Sequence, residues 1–136
     1  MKSNFLAATG ILLAACLLVG CGTAGDGLTR FPVAGTVTFK GKPIEEGKLI
    51  LLPATSEVGS GPTQVIPIVD GQFDGESTPG MKRVEFYASW PNGKMITLED
   101  GRQVPDSATL PPECNVHSKH ELEVKPEANT GLSWEL

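Results

Sequence analysis

From Val33 onward apolar residues recur at every second position, and no stretch repeats at the helical period, so the chain is confined to strands. Val33, Gly35, Val37 and Phe39 share one face of a first strand, with Ala34, Thr36, Thr38 and Lys40 on the other. Gly41 and Lys42 then supply a turn. The segment "KLILLP", Lys48 to Pro53, is apolar in both phases and predicts a strand covered on each side. After a glycine- and serine-rich loop from Thr55 to Pro62, "TQVIPIVDGQF" predicts a strand, an Asp70-Gly71 turn and a return strand. Pro67 cannot donate to a ladder and marks that strand as an edge. "MKRVEFYASW" alternates again, and "HELEVKP" and "TGLSWEL" place Leu122 with Val124, and Leu132 with Trp134 and Leu136, on their apolar faces. About seven short strands with Gly, Pro and Asn punctuation predict an all-β fold, a single antiparallel β-sandwich with Greek-key connections. A closed barrel is the alternative, disfavoured by the edge at Pro67. Leu98 to Val116 shows no clear period and reads as a long crossover loop.

The N-terminus obeys different rules. Lys2 is the only charge in the first twenty residues, and an apolar run from Phe5 to Gly20 follows. That run is short for a bilayer span, which needs about 20 residues, and has the order of a secretory signal. At its end Leu18-Val19-Gly20-Cys21 resembles the bacterial lipobox. The chemistry needs a thiol at the last position, because the sulfur is alkylated by a diacylglyceryl group before cleavage on its N-terminal side. The expected organisation is a lipoprotein signal peptide over residues 1–20, a lipidated Cys21 with a flexible linker over 21–30, and a β-sandwich over 31–136. Gly22, rather than Asp, after the cysteine resembles the pattern for outward sorting.

The three cysteines fit this organisation. Cys16 leaves with the signal, Cys21 carries lipid, and Cys114 is left without an intramolecular partner; a Cys21 to Cys114 disulfide is the competing reading. Once the signal is removed, ten basic residues stand against sixteen acidic ones, a formal charge of −6. The charges are scattered with no basic run, which argues against nucleic acid as a partner. The implied location is the bacterial cell envelope, with the domain held to a membrane through Cys21 and facing the periplasm or the exterior.

Three stretches together carry a family resemblance. "VAGTVTFKGKPIEEGKLILLP" resembles the opening of the carboxypeptidase regulatory-like, transthyretin-like β-sandwich domain, "DGQF" its central hairpin, and "GMKRVEFYASWPNGK" the strand that follows. The chain is similar to the small lipoproteins with this domain that are numerous in planctomycete bacteria. It departs from them at Cys114, Trp90 and Trp134. The resemblance implies a fold and an envelope location, and it carries no single activity to transfer.

The transthyretin-like architecture includes a hydroxyisourate hydrolase branch that uses a C-terminal Tyr-Arg-Gly-Ser, whereas Ser133-Trp134-Glu135-Leu136 stands here. His117 and His120, three apart on a strand, would face opposite sides; His120 shares phase with Leu122 and Val124 and reads as a core-rim residue rather than a metal ligand with Glu121 or Glu123. Cys114 lies beside Glu113, whose charge raises a thiol pKa, and reads as a small hydrophobe. Trp90 and Trp134 fall on apolar phases and are expected in the core. Tyr87, on the outer phase between Glu85 and Ser89, is the candidate contact residue. The expectation is a non-catalytic module without cofactor or metal. Its partners would be the bilayer, through Cys21, and an envelope protein. The alternative is a carbohydrate- or small-ligand-binding domain using Tyr87 and the 98–116 segment.

Overall fold

The computed structural model describes residues 26–55 and 61–136. The signal over 1–20, Cys21, the linker up to Gly25 and the middle of the 55–62 loop lie outside the described residues. The chain is all-β. Among the described residues nine strands follow one another: β1 Phe31–Phe39, β2 Lys42–Pro43, β3 Glu46–Pro53, β4 Gln64–Val69, β5 Gln72–Ser77, β6 Gly80–Thr97, β7 Gln103–Thr109, β8 His120–Val124 and β9 Asn129–Glu135. The only helical element among the described residues is a 3-10 turn over Pro112–Cys114. The count exceeds seven because β2 is a two-residue stub and β7 occupies sequence that reads as loop.

Asp70 and Gly71 adopt positive φ, 50° and 74°, the geometry that closes a two-residue hairpin between β4 and β5. The turn after β1 uses Lys40 and Gly41, at 50° and 76°, one residue earlier than the sequence suggests.

The strands form one sheet in the order β2-β1-β5-β4-β3-β6-β7, with β8 added to β6 and β9 added to β1. Pairing is antiparallel except between β1 and β9, which run parallel. β5 pairs with β1 over six positions but with β4 only through Ile68 to Phe73 and Val69 to Gln72. The sheet therefore folds at this short seam, and Pro67 is the first β4 residue beyond it. Two layers result: β9, β1 and β5 in one, β4, β3, β6 and β8 in the other.

The layers meet through side chains of one phase. Val33 and Val37 of β1 are fully buried, as are Leu49 and Leu51 of β3, Ile68 of β4, and Val84 and Phe86 of β6. Each such side chain contributes about 1.5–3 kcal/mol by leaving water. The Trp134 ring on β9 lies 5.4 Å from both Phe73 on β5 and Phe86 on β6, which joins the layers across the core. Of the "KLILLP" run, Leu49 and Leu51 enter this core, while Ile50 and Leu52 stay half-buried on the outer side, where no third layer covers β3.

The same inward phase holds Lys82, which is fully buried. Its Nζ donates to Thr78 Oγ1 at 2.9 Å, and burial pushes its pKa down.

The segment read as a crossover loop is half of a long hairpin. β6 continues to Thr97, and β7 returns along it. Asn92, Gly93 and Lys94 on β6 oppose Asp106 alone on β7, so two extra residues bulge out and the apolar alternation is interrupted from Pro91 to Lys94. That interruption hid the hairpin from a period-two reading.

Candidate functional site

Tyr87 sits on β6 opposite Lys48 of β3, on the outer face of the larger layer. Its hydroxyl donates to Glu85 Oε2 at 2.8 Å, and Arg83 reaches Glu85 Oε1 at 2.7 Å. Glu85 is nearly buried at 6% exposure, so its carboxylate is held on both oxygens by its own strand. The hydrogen bond to Glu85 is the main cause that raises the Tyr87 pKa; burial and the Glu85 charge act in the same direction, and the phenol stays protonated. The Lys48 ammonium stands 5.6 Å from the centre of the Tyr87 ring, a cation–π contact.

An open groove of 610 Å³ runs beside this cluster, lined by Glu46, Lys48, Tyr87, Ser89, Thr109 and Asn115 among others. Of the 98–116 segment, Thr109, Leu110 and Asn115 line the same groove as Tyr87. Leu110 N–H donates to Ala88 C=O at 3.2 Å and docks that segment beside β6. Asn115 Nδ2 donates to the carbonyls of Leu110 and Pro111, both at 3.3 Å, and holds the bend. The groove offers an aromatic edge, an ammonium, a carboxylate, hydroxyls and an amide.

The residues weighed for catalysis or metal binding are not brought into this arrangement. Cys114 is buried in the 3-10 turn, where burial first and the Glu113 charge second push its thiol pKa up, against what a nucleophile needs. His117 is exposed. His120 packs edge-on against Phe86 with ring centres 5.7 Å apart, the core-rim position its phase predicts. Among the described residues no three His, Cys, Asp or Glu side chains gather as a metal site.

Trp134 takes the core place expected of it, but Trp90 does not. It lies on the inward face, 5.6 Å from Phe39, and is 37% exposed. It begins a run of uncovered apolar residues on the β6–β7 arm, with Met95 56%, Ile96 44% and Leu98 36% exposed. The apolar "MIT" and "QVP" segments are the signal from which this surface could have been found, had the bulge been recognised.

Among the described residues no helix is long and apolar enough to cross a membrane. No protein-family model, curated protein or solved structure was found to match this chain.

Proposed function

We propose that this chain is a non-catalytic lipoprotein of the bacterial cell envelope, held to a membrane through Cys21, whose β-sandwich serves as a protein-interaction module facing the periplasm or exterior. The observation that carries the interaction reading is the β6–β7 arm, where Trp90, Met95, Ile96 and Leu98 stand uncovered in sequence neighbourhood. The anchoring half rests on the lipobox-like Leu18 to Cys21 after an apolar run. Two acyl chains on one cysteine give stable anchoring, each buried CH₂ adding about 0.8 kcal/mol. Membership of the carboxypeptidase regulatory-like, transthyretin-like domains is part of the proposal; the two-layer all-β fold and the Asp70-Gly71 hairpin support it. Substituting Cys21→Ala is expected to leave the protein uncleaved or released and without acyl mass. Unchanged membrane retention with an unmodified N-terminus would refute the anchor.

A second reading, binding of carbohydrate, is favoured by the groove that joins Tyr87 to Thr109 and Asn115. It expects retention of the protein on envelope polysaccharide columns, reduced at least about tenfold by Tyr87→Ala, since a lost aromatic platform and its hydrogen bonding remove roughly 1.4 kcal/mol or more. Equal retention of the variant would rule the groove out.

A further inference from the structure

We propose that the β6–β7 arm pairs head to head with the arm of a second copy of this chain. The inference deepens the interaction-module reading, on which it rests, by naming the partner.

The layer of β9, β1 and β5 ends at Phe39, which meets Trp90 at the base of the arm. Past that point only the Lys40-Gly41 turn remains on its side, while β6 and β7 run on together to Thr97 and Gln103. The larger layer therefore overhangs the smaller one by about 16 Å, the five β7 positions from Ser107 to Gln103 at ~3.3 Å each. Trp90 opposes Ala108 and Ile96 opposes Val104, so these four share the inward face of the overhang. The half-buried positions of β7 are Val104, Asp106 and Ala108, which fixes that face as the inner one. The overhang is thus half of a sandwich whose second layer is missing, with Trp90, Ile96, Val104 and Ala108 on that face and Asp106 among them, bonded to Asn92.

A copy turned end for end about a two-fold axis perpendicular to the strands supplies that layer. Its own overhang stacks in line with β1 of the first chain and covers Ile96 and Val104, and it is covered in return. The charges agree with this occupant. The arm tip carries exposed Glu99, with Asp100 ion-paired to Arg102, and in the pair it abuts the β1–β2 turn of the other copy, which carries exposed Lys40 and Lys42. Lys42 lies opposite Phe39 and so shares its inward side. Stacking on the face is favoured over adding a strand to the edge, because Pro105 of β7 lacks a donor there. The contact, about 16 Å by 10 Å plus the tip, falls short of the ~800 Å² per partner of a permanent dimer, so the pair is reversible. Since Phe39 marks the arm end of β1, Phe31 lies at its opposite end.

Sedimentation equilibrium of the full chain in density-matched detergent tests the pairing. The expected result is a reversible monomer–dimer equilibrium, weakened about fivefold or more by Glu99→Lys and by Lys42→Glu separately and restored when both are combined. A Val104→Cys chain should cross-link to itself with a flexible bis-maleimide, and a Ser107→Cys chain, on the other face, should not. A chain that stays monomeric at millimolar concentration overturns the proposal. So does a dimer indifferent to both charge reversals, or equal cross-linking from the two faces. The proposed contact is built from residues after Phe31, so this result and the acyl mass at Cys21 succeed or fail separately.

Discussion

Replacing Gly35 with alanine is expected to destabilise the domain by roughly 3–5 kcal/mol, the top of the range for single substitutions. A Cβ at this position would lie 2.1 Å from the carbonyl oxygen of Leu132 and 2.7 Å from its carbonyl carbon. Those are backbone atoms of β9, which cannot step aside without breaking the parallel ladder from Gly35 to Thr38. The register between β1 and β9 shifts between Val33 and Gly35, and the bulge brings the β9 backbone against Gly35. Against a total stability of about 5–15 kcal/mol, that loss leaves a large unfolded fraction. Urea unfolding followed by tryptophan fluorescence reads it directly, with Gly93→Ala as the control. Gly93 has φ 77° and no atom within 4 Å of a built Cβ, so only backbone strain of about 1–2 kcal/mol is expected there. Equal costs at the two glycines would mean that β9 does not lie against β1.

The second large effect is expected at Phe86, fully buried and in contact with both Trp134 and His120. Phe86→Ala should cost about 3–5 kcal/mol through lost transfer energy and the cavity left behind. The informative quantity is its coupling to Trp134→Ala. The two rings are 5.4 Å apart at 64°, an edge-on contact between the two layers, so a double-mutant cycle should return about 0.5–1.5 kcal/mol. Strict additivity would show that the inward faces of β6 and β9 do not meet.

Much of this fold was legible because alternation fixes which side chains share a face. Val33, Val37, Val84, Phe86 and Val124 are buried as their phases require, and Asp70-Gly71 turns where its tolerance of positive φ predicts. What escaped depends on facts that no single strand contains. Trp90 keeps the inward phase and is nevertheless exposed, because the opposing layer stops at Phe39. The β6–β7 hairpin was hidden by two extra residues at Asn92 to Lys94, which interrupt the apolar alternation halfway along. Lys82 carries a charge in an apolar phase, and its burial beside Thr78 follows from packing rather than pattern. Tyr87 was legible as an outward residue, whereas the groove beside it required the 109–115 segment to fold back against β6.

The anchored interaction module is tested most directly by the intact mass of the protein recovered from the membrane fraction of bacteria expressing the full sequence. The account predicts a chain that begins at Cys21 and carries the added mass of a diacylglyceryl group, with or without a third acyl chain. A protein that retains residues 1–20, or one whose Cys21 bears no lipid, would contradict it.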